Sequence, residues 1–157
     1  MIPPLLGLFL IALLWISAGK ASPTQALAAA AEPVSTSTMT GIRARFGICG
    51  NSPDPNCVVN GATLRFEGSD IHIAGIQAPR REGGDCPAEK QLALRASERL
   101  QQVLNSGTLT MTALPHRGTN DGAGAIHRVA VDGRDLGSLL LAEGHAQSKA
   151  SVARWCK

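Results

Sequence analysis

Tyrosine is absent from this chain, and aromatic residues of every kind make up only 3% of its 157 residues. Beyond the N-terminal segment they are Phe46, Phe66 and Trp155. Single-stranded nucleic acid is held by stacking on several exposed aromatic faces, so this scarcity argues against a base-stacking platform. Charge is sparse too, at 17% of residues with a formal net of +3. Leaving out residues 1–28 removes Lys20 alone, so fourteen basic and twelve acidic residues remain, a net of about +2. That falls well short of the field of a dedicated polyanion binder, and nucleic acid is only weakly supported as a partner. No Cys-x-x-Cys pair occurs, and His72, His116, His127 and His145 fit no zinc spacing. No apolar run reaches the length of a membrane-spanning helix, about 20 residues.

What the N-terminus does contain is an apolar run of about fourteen residues, Leu5 to Ala18, followed by Ala26-Leu27-Ala28. A short hydrophobic core followed by small residues is the pattern of a secretory signal peptide. Residues 1–28 are therefore expected to be a leader cleaved after Ala28, and the protein to be periplasmic or secreted. The alternative is an uncleaved N-terminal membrane anchor, since no Lys or Arg precedes the apolar run. Residues 29–41, AAAEPVSTSTMTG, are small and polar and read as a flexible linker. The folded domain is expected over residues 42–157.

Cys49, Cys57, Cys86 and Cys156 form an even set, which in an exported chain implies two disulfides. Three connectivities are open. The favoured one pairs Cys49 with Cys57, closing a Gly/Pro/Asn-rich loop, and Cys86 with Cys156, tying the C-terminus beside the first helix.

The stretch NCVVNGATLRFEGSDIHIAGIQAPR, residues 56–80, organises the rest. Val58, Leu64 and Phe66, then Ile71 and Ile73, alternate with polar residues, and Asn60-Gly61 and Gly68-Ser69 mark turns, giving a three-strand meander. A lead-in strand is expected within 42–49. A helix begins at Pro87 with Glu89 in its first turn, carries Leu92, Ala96, Leu100, Val103 and Leu104, and ends at Asn105-Ser106-Gly107. Residues 108–114 and 126–131 read as strands around a Gly/Asn/Asp-rich loop, the second strand stopped by Asp132-Gly133. Asp135 caps a second helix with Leu136, Leu139 and Leu140, ended by Gly144. Strands dominate, so the fold class is α+β, mainly β. Five strands with two to three helices suit a small closed barrel of the OB type, because closure removes exposed edges.

Several motifs together carry a family resemblance: NCVVNG, IHIAGI followed by Gln-Ala-Pro, CPAE, LNSG, VDGRDLGSLLLAEGHA and the terminal Trp-Cys. Over residues 44–156 the chain resembles the staphylococcal-nuclease-like (thermonuclease) domains, which implies their OB-type barrel. In that family phosphodiester hydrolysis is attributed to Ca²⁺-binding carboxylates, a Glu that activates water, and two Arg that stabilise developing charge. These assignments suit hard-cation chemistry and bidentate guanidinium donors.

None of those groups stands at the matching positions here. The Asp-Gly-Asp-Thr turn of the family reads Asn60-Gly61-Ala62-Thr63, so a metal carboxylate is replaced by the methyl of Ala62. The Arg of the third strand is His72, the Asp before Ala-Pro is Gln77, and the Glu after it is Arg80. The second Arg falls on Gly124, at the end of Asn120-Asp121-Gly122-Ala123-Gly124. The replacements strip the negative charge a divalent cation needs, and a guanidinium cannot act as a base. The resemblance thus implies a nuclease fold with no catalytic residues, no Ca²⁺ site and no other cofactor.

Three function classes follow. A catalytically silent binding module is favoured, its partner an unidentified protein or an anionic ligand, with His72, Arg80 and Arg81 as candidate anion-binding residues. A nuclease with a rebuilt metal site would have to draw on Glu67, Asp70, Asp121, Asp132 or the histidines, which read otherwise as turn and surface residues. A purely structural envelope protein is the third.

Overall fold

The computed structural model describes residues 36–50, 53–115 and 124–156. The expected leader, linker residues 29–35, His116 and the 120–123 stretch lie outside these. Strands predominate, in the order β1 (Thr38–Ile42), β2 (Gly47–Ile48), β3 (Cys57–Asn60), β4 (Thr63–Phe66), β5 (Ser69–Ile73) and β6 (Ile76–Gln77). Helix α1 (Pro87–Leu104) follows, then β7 (Leu109–Ala113), β8 (Ala125–Val131), β9 (Arg134–Asp135), α2 (Leu136–Ala142) and β10 (Gln147–Ser148).

The expected meander is present. β3 pairs antiparallel with β4 and β4 with β5, in a register that sets Leu64 opposite Ile71 and Thr63 opposite His72. The tip of the second hairpin is Glu67-Gly68, one residue earlier than the sequence suggested. Both residues have positive φ, 49° and 81°, the geometry of the tight hairpin turns that match strand twist. β5 then runs parallel to β8, which pairs antiparallel with β7.

Three expectations need correcting. The linker does not extend to residue 41, because Thr38–Ile42 forms β1 on the far side of β7, with Thr38 opposite Thr112 and Met39 opposite Met111. Its TMTGI sequence is almost wholly exposed, so no buried apolar face announced it. The lead-in strand shrinks to Gly47–Ile48, which pairs parallel with β3. The sheet is consistent with a small barrel, but among the described residues no hydrogen-bonded ladder closes it. The main sheet runs linearly as β1-β7-β8-β5-β4-β3-β2, with β9 beside β8, and among the described residues no ladder joins β1 to β2. It is a curled, half-barrel sheet with two helices.

Alternation along the strands builds the core. Leu109 and Met111 of β7, Val129 of β8, and Ile71 and Ile73 of β5 face inward with Val58 and Leu64. Leu100 and Leu104 of α1 and Leu136 and Leu140 of α2 close it, all fully buried. Each such side chain contributes roughly 1.5–3 kcal/mol by leaving water. Helix α2 begins as read, with the Asp135 carboxylate accepting the Ser138 N–H at 2.8 Å. Gly144, at φ 72°, ends it.

Helix α1 sits close on the β3–β4 turn. A Cβ built on Gly61 would lie 2.6 Å from the Ala96 Cβ, so glycine is what lets turn and helix touch. The two disulfides are Cys49–Cys57 and Cys86–Cys156, the favoured pairing. Such bonds are the mark of an oxidising, extracytoplasmic environment. Among the described residues no helix is long and apolar enough to cross a membrane.

Candidate functional site

A cleft of about 570 Å³ opens where β4, β5 and β6 meet the 78–82 segment. Asn60, Ala62, His72, Gln77 and Arg80 all line it. Five positions matched by motif, spread over twenty residues of chain, therefore gather in one concavity. Arg81 lines it as well.

Each polar side chain at these positions has at least one contact within the protein. The Asn60 carbonyl oxygen accepts the Ala62 N–H at 2.9 Å, a short Asx turn that shapes the hairpin. Ala62 is 7% exposed and belongs to the core. His72 Nδ1 shares a 2.8 Å hydrogen bond with the Thr63 hydroxyl across the ladder. The Gln77 amide donates to two carbonyls of the C-terminal segment, Ser148 O and Ser151 O, each at 2.8 Å. Gln77 thus fastens that segment beside β6, whose ladder with β10 does the same.

Arg80 is held hardest. Its backbone N–H donates to Glu89 Oε1 at 2.9 Å, its Nε lies 3.6 Å from the same oxygen, and its Nη2 reaches Asp85 at 3.2 Å. Glu89 Oε2 accepts the Asp85 N–H at 2.8 Å. Glu89 is 0% exposed, with the backbone of the 80–85 loop bonded to its carboxylate. Backbone N–H donation from Arg80 and then Asp85 is the main force holding its carboxyl below the ordinary 4.5, against desolvation. The sequence suggested merely a helix-dipole acid. Its position three residues after the helix boundary at Cys86 is the signal that could have marked it as a residue reaching back over the N-terminus.

Gly124 is not in the cleft lining. It abuts the backbone of Asp70, and a Cβ there would fall 2.3 Å from the Asp70 carbonyl oxygen. No larger side chain could be installed at position 124 without moving one strand.

The acids weighed for a rebuilt site do not converge. Glu67 is at a hairpin tip, Asp70 pairs with Arg65 at 2.7 Å, and Asp132 accepts the Thr108 N–H at 2.9 Å. Asp121 lies outside the described residues. His127 is buried with Nδ1 3.4 Å from Ala125 O, and His145 has a buried Nδ1 without a partner. Among the described residues no group of three or more His, Cys, Asp or Glu is placed to hold a metal ion.

One cleft residue had no signal in the sequence. Lys149 lines it from the C-terminal segment, anchored by its backbone N–H to Gly75 O at 2.9 Å. Its neighbourhood depends on the Cys86–Cys156 bond and the Gln77 contacts, both long-range. Compared with known families and curated proteins, the sequence matches no family model and no curated protein.

Proposed function

We propose that this chain is an exported, thermonuclease-like OB-type barrel that cannot cut phosphodiester bonds and works as a binding module through its cleft. The observation that carries the reading is the commitment of the motif positions. Asn60 Oδ1, His72 Nδ1, Gln77 Nε2 and the Arg80 guanidinium each bond elsewhere in the protein, and Ala62 offers only a methyl group. A hydrolase of this kind keeps carboxylates free for a cation and a base free for water. In their place are two neutral amides and a guanidinium tied to carboxylates. The convergence of five motif positions in one cleft supports the family fold, and the two disulfides support export.

Calcium titration tests it. A site with a dissociation constant near ~100 µM would add about 2.7 kcal/mol of stability at roughly 10 mM Ca²⁺, a shift of several degrees in melting temperature. No shift is expected. A saturable one would restore a metal to the cleft and overturn the reading.

A further inference from the structure

We infer that the cleft takes a small organic monoanion, one anionic headgroup on an apolar body, held without metal by Arg81 and Lys149. The inference rests on the reading of the barrel as a silent binding module and specifies its ligand.

Charge in the cleft narrows the choice. Three cationic side chains line it, Arg80, Arg81 and Lys149, with one acid, Glu82. Arg80 is already balanced by buried Glu89 and by Asp85. Arg81 and Lys149 make no ion pair among the described residues, but Glu82 and the two acids on Arg80 bring the local count to three cations and three acids, so the two unpaired cations suit one anionic group and not several. A polyanion would leave most of its charge uncompensated there. His72 Nδ1 is already bonded to the Thr63 hydroxyl.

The walls supply the other half. Val59, Ala78 and Ile126 line the cleft half-buried, and the nearly buried Ile73, Ile76 and Ala62 complete its apolar lining. A carboxylate at position 62 or 77 would repel an anion and demand a cation; a methyl and an amide do neither. Apolar walls with a few placed polar groups are the usual make-up of a small-molecule site, and about 570 Å³ lies in the usual size range. An inorganic anion would bury none of these walls, and a neutral apolar molecule would leave both cations unused.

Both cations are exposed, Lys149 on a segment held by its backbone N–H to Gly75 O and Arg81 on a loop whose backbone N–H groups donate to Glu89, so their side chains can be changed without disturbing the core. The test is isothermal titration of the full oxidised chain with decanoate, decanol, acetate and inorganic phosphate, with backbone NMR shifts to locate binding. Decanoate is expected to bind at least tenfold more tightly than any of the other three, shifting the amides of 73–78. Arg81→Gln with Lys149→Gln should weaken decanoate tenfold or more, leave any decanol binding unchanged and keep the melting temperature.

Equal affinity for decanoate and decanol, or for decanoate and phosphate, overturns the inference, as does no binding. Digestion of DNA by the same sample, with Ca²⁺ present, separates the two claims. Cleavage refutes the silent-module reading, whereas no cleavage with no decanoate binding refutes the ligand alone.

Discussion

Removing the Cys86–Cys156 bond should cost this domain more than removing Cys49–Cys57, by an amount the chain separations set. The first closes a loop of separation 70, the second one of separation 8. Constraint of the unfolded chain is then worth about 4 kcal/mol for the long loop and about 2.5 kcal/mol for the short one. A loss of about 4 kcal/mol lowers the melting temperature on the order of 10–20 °C in a domain of this size. The long-range bond is also the cleaner to remove, because Cys156 is exposed and Cys86 half-buried, whereas Cys57 is 1% exposed in the core. Without it the C-terminal segment keeps the two-residue β6–β10 ladder, the Gln77 bonds, and the Gln147 side chain bonded to Arg154 through both its amide groups. Those contacts should hold at low denaturant and fray first. The assay is guanidinium unfolding of Cys86→Ala/Cys156→Ala in a Trp15→Phe background, followed by Trp155 fluorescence and far-UV circular dichroism. In the parent the two signals should coincide; in the variant Trp155, beside the lost bond, should report first. A stability loss below about 1 kcal/mol with coincident signals would refute the reasoning.

Two further outcomes follow from packing and charge. Gly61→Ala places a methyl 2.6 Å from the Ala96 Cβ and should lower stability by about 1–3 kcal/mol through overpacking, measured by urea unfolding; an unchanged midpoint would contradict the helix–turn contact. Glu89 and Glu143 have carboxyls held below the ordinary 4.5, Glu89 chiefly by backbone N–H groups and Glu143 chiefly by its hydrogen bond from Arg99. Groups lowered on folding stabilise above their unfolded value and lose that contribution as pH falls through the folded one. The urea midpoint should therefore be flat in these groups from pH 7 to 5 and fall below about pH 4.5, with a shallower fall in Glu89→Gln; an identical acid slope in that variant would show that Glu89 does not clamp the loop.

Local chemistry made much of this fold legible. Pro87 and Asn105 bracket α1, Asp135 and Gly144 bracket α2, and Asp132-Gly133 turns β8 into β9, each through a propensity acting within a few residues. What the sequence hid is non-local. β1 owes its existence to pairing with β7, more than sixty residues downstream, and its exposed TMTGI carries no periodic apolar signal. The linear order of the sheet depends on how far the strands curl, which no residue pattern encodes. In the site, the motif comparison located the cleft residues because backbone turns fix their spacing. It could not reveal that Gln77 fastens the C-terminal segment, whose partners lie more than seventy residues away, and Glu89 was marked only by its place in the first turn of α1, not by any sign of its contact with Arg80. Lys149 was invisible for the same reason as the Gln77 contacts.

The measurement closest to the central claim is digestion of DNA and RNA by the purified, oxidised chain, with excess Ca²⁺ and with chelator. No cleavage is expected in either condition, because under the proposed reading Ala62, Arg80 and Gly124 occupy the positions of a metal ligand, a base and a charge-stabilising Arg, and none can serve in those roles. Chelator-sensitive cleavage that co-purifies with the chain and disappears on Asp70→Asn would contradict it, and would show that a cation site has been assembled from residues assigned here to turns and surface pairs.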